Sequence, residues 1–266
     1  MSVLAIALWL APAAPAAWTM PARGVEIAEL EARPRSEIGD SKVTVVRIDP
    51  AVHEIRLLSA KLLGLDHTLT APEWAKKYGV LGVINASMYQ TDHRTSVAYM
   101  KADGKENNGR WTKDNAVFAA DPTHASLPPV AIVDRTCPKP ADFESRYRLL
   151  VQNIRMLDCK GGNTWSQQPR KWSTAAVGID ATGRVLFIHC RSPYSTHDFI
   201  DILRALPLDL EGLMYVEGGP EASLYVAVDG KEIVSKMGSF ETGFRELDDN
   251  DRFWPIPNVL GFAPKK

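Results

Sequence analysis

The chain has 266 residues, 45% of them hydrophobic, enough for one sizeable core without disulfide staples. Lysine and arginine number 31 against 32 acidic residues, a net charge of −1 at pH 7. That balance, and the lack of a basic stripe interleaved with aromatics, argues against a nucleic-acid partner.

Val3 to Trp18 is apolar, carries no charge and is too short and Pro-rich for a membrane span. Ala14-Pro15-Ala16 offers small residues where a signal peptidase cuts, so residues 1–16 read as an export signal. The expected product is exported, periplasmic or secreted, with no stable membrane span after cleavage. Residues 17–39 then lead into one domain over 40–266, since no internal repeat or convincing linker divides the rest. Val25 to Ala32 is a first weak strand. Lys42 to Ile48 is rich in β-branched residues and reads as a strand. Asp49-Pro50 breaks it, and His53 to Ser59 reads as its hairpin partner.

Thr70, Pro72 and Glu73 are the cap, first-turn proline and capping-box acid of a short helix that Gly79 ends. A strand from Val80 to Ile84 delivers Asn85-Ala86-Ser87-Met88-Tyr89 to its tip. Thr91 to Asp114 is polar and reads as long loops or a hairpin over a site. Strands follow at Ala116 to Ala120 and Leu127 to Val133. Tyr147 to Leu157 fits helix or strand. Thr174 to Ile179 and Arg184 to Cys190 form a clear hairpin around Asp180–Gly183. Ser195 opens a helix whose buried face is Phe199, Ile202, Leu203 and Leu206, and Pro207 stops it. Leu213 to Glu217 is a buried strand that ends in Gly218-Gly219-Pro220, which cannot continue a ladder. Leu224 to Val228 and Val259 to Phe262 are the last strands. The expected fold class is α+β: a mixed or antiparallel sheet core with a few helices packed on it.

Three cysteines without a CxxC pair point away from zinc and thioredoxin-like chemistry. In an oxidising compartment Cys137 and Cys159 are the more natural pair, and Cys190 reads as a buried thiol. No spacing demands a metal or another cofactor, so none is expected.

Glu217 is the leading candidate for chemistry: a carboxylate at a strand tip beside two glycines that admit a ligand to the backbone. Glu221 is the second, with Asp92 and Asp114 behind it. Arg191 lies between a strand end and the helix start at Ser195 and Thr196, and both it and that helix terminus could meet a phosphate. His197 and His93 are weaker acid–base or ligand candidates.

Several segments, in order, make residues 40 to 264 similar to the phosphodiester glycosidase family. Its Asn-Gly-Gly-Phe-Phe-like turn stands here as Asn85-Ala86-Ser87-Met88-Tyr89. Its Asn-Gly-Val-Phe-like strand is Asn115-Ala116-Val117-Phe118. Its Gln-Ser-Gly-Pro-x-Leu-like segment is Gln152-Asn153-Ile154-Arg155-Met156-Leu157. Its Arg-Thr-Ala-x-Gly strand is Thr174-Ala175-Ala176-Val177-Gly178, and its Asp-Gly-Gly-Gly-Ser turn is Glu217-Gly218-Gly219-Pro220-Glu221. Glu217 keeps the acid with one more methylene. Ala86 and Ser87 replace glycines. The family arginine falls on Thr174, with Arg170 and Lys171 just upstream.

The resemblance implies hydrolysis of a sugar-1-phosphodiester; Glu217 and Glu221 are the expected catalytic residues, though Glu221 stands where the family has Ser. With the reading of the residues, it makes Asn85, Ser87, Asn115, Gln152, Arg170, Arg191, Gly218, Gly219 and Ser223 the expected substrate contacts. A carbohydrate or sugar phosphate is the expected partner. The competing expectations are a non-catalytic glycan- or phosphate-binding envelope protein on the same scaffold, and an envelope protein that acts through protein contacts.

Overall fold

A computed structural model describes residues 17–140 and 142–265; the export signal expected over 1–16 lies outside them. The strands are, in chain order, β1 (Thr19–Ala22), β2 (Val25–Glu31), β3 (Lys42–Ile48), β4 (His53–Ser59), β5 (Gly82–Asn85), β6 (Met100–Ala102), β7 (Lys105–Asn108) and β8 (Ala116–Pro122). They continue as β9 (Val130–Asp134), β10 (Tyr147–Asn153), β11 (Trp172–Asp180), β12 (Val185–Tyr194), β13 (Leu210–Gly218), β14 (Ser223–Val228), β15 (Lys231–Met237) and β16 (Asn258–Pro264). Two α-helices, α1 (Ala71–Tyr78) and α2 (Thr196–Ala205), complete an α+β fold.

Every named strand pair is antiparallel. The strands form three sheets: β1-β2-β3-β12-β11-β13, β7-β6-β10-β8-β9 and β15-β14-β5-β16-β4. Their inner faces share one core, in which Val46, Phe118, Val177, Phe187, Leu224 and Phe262 are all fully buried. Helix α2 covers the outer face of the first sheet, setting Phe199, Ile202 and Leu203 against Val45, Leu186 and Ile188. Helix α1 covers the third sheet with Trp74 against Val83 and Val259. Central strands are therefore buried on both faces. That is why β11 and β12 read as near-continuous apolar runs rather than as alternation.

Local signals held where they were strongest. Thr70 and Glu73 form the capping box of α1, and Gly79 adopts the left-handed C-cap at φ +62°. The Ser195 side chain caps α2 through the Asp198 amide. Strands β11 and β12 pair as the expected hairpin, and the ambiguous segment 147–157 forms strand β10 over its first seven residues. Cys137 and Cys159 are bridged, and Cys190 is a buried thiol.

The expected hairpin between 42–48 and 53–59 does not form. Strand β3 pairs with β2 and β12, whereas β4 pairs with β16 at the edge of another sheet. Asp49–Val52 is thus a corner between sheets. Burial differs accordingly: β3, inside its sheet, is buried along nearly its whole length, whereas β4, at an edge, alternates over its first four residues. Residues 17–39, which lead into the domain, contribute β1 and the expected strand over 25–32, here β2, to the first sheet.

Phe187 packs edge-on to Phe262 at the centre of the shared core. Phe187→Ala is expected to cost about 3–5 kcal/mol, read as a lower denaturant midpoint at unchanged slope.

Candidate active site

Strands β13 and β14 belong to different sheets, and only the 3-10 turn Gly219–Glu221 and Ala222 separate them. Along β13 the side chains alternate. Met214 and Val216 enter the inner core, while Tyr215 joins the outer cluster and Glu217 comes up on the same side. The register slips by one between the Ala176–Tyr215 and Ala175–Glu217 pairs, a bulge of the kind that re-aims side chains at strand ends. Gly219 then turns the chain with φ +66°, a conformation in which a Cβ costs strain.

The turn is clamped from beneath. Asn85, at the end of β5 and 1% exposed, donates from Nδ2 to the Glu221 carbonyl (3.0 Å) and accepts the Ser223 amide at Oδ1 (2.7 Å). The Ser223 hydroxyl donates to the same Glu221 carbonyl at 2.9 Å. His189, fully buried on β12, lies 3.3 Å through Nε2 from the Ala222 carbonyl. Burial pushes its pKa down to about 3, so the ring is neutral and Nε2–H donates.

Above the turn opens a cleft of about 600 Å³. Glu217, Glu221 and Glu241 supply its carboxyl groups, and Met88, Tyr89, Ile154, Trp165, Trp172 and Tyr215 its walls. Trp165 and Trp172 flank the Tyr215 ring at centroid distances of 5.6 and 6.5 Å. Arg170 and His93 lie at the rim. The Trp172 indole N–H is buried beside the Tyr215 hydroxyl. Flat apolar surfaces with a few convergent polar groups suit a sugar ring.

Glu217 is 8% exposed, and its Oε1 accepts the Gly218 amide at 3.1 Å. Burial, then the neighbouring Glu221 charge and more weakly Glu241, push its pKa up to about 8. Glu221 is also raised, chiefly by burial, and Tyr89 reaches its Oε1 with a long 3.5 Å hydrogen bond. Burial and the two acids beside it hold the Tyr89 phenol protonated. Gly218 leaves room for all this: a Cβ there would lie 2.2 Å from the Tyr215 hydroxyl and 2.7 Å from Trp172 Cδ1.

Of the residues singled out from the sequence, Glu217, Glu221, Gly218, Arg170 and His93 line this cleft. Asn85, Gly219 and Ser223 shape the turn that carries it. Ser87 is buried and hydrogen-bonds Ser96 at 3.0 Å behind the cleft floor. Gln152 is buried and binds the backbone of Thr112 and Asp114. Asn115 lines two other cavities. Arg191 is held by the Asp248 carboxylate (2.7 Å) and the carbonyls of Met237, Asp248 and Asn250, away from the cleft. At the α2 terminus Ser195 donates to Gln167, and His197 fixes the Trp165 carbonyl at 2.6 Å. Asp92 ties a turn through Arg94 and Thr95, and Asp114 accepts from Thr112.

Sequence reasoning missed Trp165, Trp172, Tyr215 and Glu241. Tyr215 was within reach, because it stands two residues before Glu217 on one strand face. Glu241 was not: it comes from the long segment after β15 and reaches the site through an isolated bridge to Trp172.

The antiparallel three-sheet α+β body thus carries two acids, Glu217 and Glu221, in one aromatic-walled cleft. The family profile of phosphodiester glycosidases matches residues 78–263, and the chain belongs to that family. Among solved structures, it resembles the zebrafish N-acetylglucosamine-1-phosphodiester alpha-N-acetylglucosaminidase catalytic domain auto-inhibited by its pro-peptide. That match has a TM-score of 0.58 and 12% identity over 92% of this chain and 80% of that one. A hypothetical protein from Synechocystis matches with a TM-score of 0.58 and 13% identity, over 96% of this chain and 64% of that one. At these identities the structural likeness speaks for the fold. No curated protein matches the sequence.

Between pH 4.5 and about 8 the folded chain binds the Glu217 proton that the unfolded chain has lost. Stability attributable to this group therefore falls as pH rises through that window. Glu217→Gln is expected to flatten the fall and to unfold at higher denaturant than the wild type at pH 8. Parallel pH curves for the two proteins would contradict a buried neutral acid.

Proposed function

We propose that the protein is an exported hydrolase that cleaves the glycosidic bond of a sugar-1-phosphodiester, with Glu217 as the proton donor. The observation that carries this reading is Glu217 itself: a carboxyl group at the cleft floor, held protonated to about pH 8 by burial and a second acid. Glu217 gives its proton to the bridging oxygen as the bond from that oxygen to the anomeric carbon breaks, and the phosphomonoester departs. Glu221, half-buried at the opposite end of the turn, faces the developing positive charge as a carboxylate. Water adds to the anomeric carbon and returns a proton to Glu217, so the acid is regenerated and free sugar leaves. The phosphate ester leaves more readily than an alcohol, so one well-placed acid suffices.

Trp165, Trp172 and Tyr215 hold the ring. Asn85 is a positioning residue: it fixes Glu221 through the backbone and does not itself face the cleft. The Cys137–Cys159 bridge suits an oxidising, extracytoplasmic compartment, and no helix among the described residues is long and apolar enough to cross a membrane.

The test is release of sugar from α-linked sugar-1-phosphodiesters by the purified protein. Glu217→Gln is expected to lower kcat at least ~100-fold. The wild-type rate is expected to fall as pH rises through about 8, where Glu217 loses its proton. Equal rates for wild type and variant would discard the assignment. Binding of the sugar ester without turnover in the wild type would favour a non-catalytic glycan-binding protein on this scaffold.

A further inference from the structure

The cleft holds three carboxyl groups and a single arginine among its lining residues, an unfavourable setting for a phosphodiester anion. Its wall does not end there. Ile154 and Trp165 also line a second cavity of about 380 Å³, which contains Lys113, Asn115 and Arg155. Lys113 and Asn115 in turn line a third, of about 440 Å³, with Arg135 and Lys139. Shared lining residues thus link the three hollows in turn, from the acidic one to the most basic.

The basic end keeps its charge. Arg135 donates to the carbonyls of Thr112 (2.9 Å) and Asp114 (3.3 Å) and stacks on Trp111, and Lys139 donates to the Arg135 carbonyl at 2.7 Å. These partners are neutral, so they orient the cations without cancelling them. None of Lys113, Arg135 and Lys139 forms an ion pair with a carboxylate among the described residues. Arg155 is the exception, paired with Asp134 at 2.7 Å. Asp114 and Glu144 also line these cavities, and cations still outnumber them.

The trough is also built rather than incidental. Gln152, fully buried, binds the Thr112 amide and the carbonyls of Thr112 and Asp114, which fixes the segment carrying Lys113. The Cys137–Cys159 bridge ties the segment after β9 to the loop after β10, the two sides from which Arg135, Lys139 and Arg155 come. Trp165 donates to the Arg155 carbonyl at 2.8 Å, so the wall between the hollows is fixed.

We propose that this trough binds the leaving side of the substrate, and that the substrate is an anionic glycan with several phosphodiester repeats. The sugar to be released lies in the acidic aromatic cleft, and the phosphates beyond it lie along Lys113, Arg135 and Lys139. Segregated charge fixes direction: a reversed chain would place anions on Glu221 and Glu241. The proposal rests on the hydrolase reading for its orientation, but the binding of a polyanion does not.

Two measurements separate those dependencies. The first is binding of inorganic polyphosphate of about 15 units to the full-length mature protein, across a salt series. The expected result is saturable binding that weakens with salt and falls at least 10-fold in the double variant Lys113→Ala, Lys139→Ala. Both side chains lie outside the catalytic cleft, and unchanged unfolding midpoints exclude a folding defect. No binding, or binding indifferent to the double variant, overturns the trough whatever the enzyme hydrolyses. Equal affinity for a single-stranded oligonucleotide overturns the glycan assignment. The second measurement is hydrolysis: the double variant is expected to raise KM at least 10-fold more for an oligomeric glycan phosphodiester than for a single sugar-1-phosphodiester. Equal loss on both substrates overturns the proposal. Polyphosphate binding without hydrolysis of any sugar phosphodiester would instead remove the hydrolase reading and leave the anion trough standing.

Discussion

The chain passes from the first sheet to the third between Gly218 and Ser223, with almost no length to spare. That crossing turn has to be fixed by partners outside it, because a 3-10 turn has little internal bonding. Asn85 from the third sheet and His189 from the first supply them, gripping the carbonyls of Glu221 and Ala222 and the Ser223 amide. Both are buried polar groups that would be costly without those bonds. The two acids therefore sit at opposite ends of a segment whose backbone cannot drift, and their mutual electrostatic effect is set by the scaffold.

Charge and burial then divide the labour between similar groups. Glu217 and Glu221 are separated by three residues in sequence, yet one is enclosed beside Tyr215 and the other faces the opening with Tyr89 as a donor. Burial comes first among the causes raising Glu217, with like charge second. The same low-dielectric setting that makes a carboxylate costly makes a carboxylic acid available near neutrality. The aromatic walls stand beside Glu217, and Lys113, Arg135 and Lys139 line cavities farther along.

Several polar residues that looked like substrate contacts turn out to hold architecture. Gln152 satisfies three backbone groups of one loop, and Arg191 collects a carboxylate and three carbonyls from the segment after β15. A motif residue beside a site often acts through backbone it fixes rather than through ligand it touches. Such residues satisfy buried loop groups that would otherwise go unpaired.

The sequence by itself determined the local features: the Thr70–Glu73 capping box, the Gly79 stop, the β11–β12 hairpin, the cap and buried face of α2, and the strand that ends in Glu217. Each depends on neighbours within a few residues, where periodicity, turn chemistry and capping act. It also placed Glu217, Glu221 and Gly218 together, because one turn carries them. Only the tertiary structure decided that β3 and β4 part into different sheets, that Arg191 pairs with Asp248, and that Trp165, Trp172 and Glu241 converge on the cleft. Those outcomes depend on which strands become neighbours, and pairing between antiparallel strands is selected by burial on both faces across the whole core. No window of sequence contains that information.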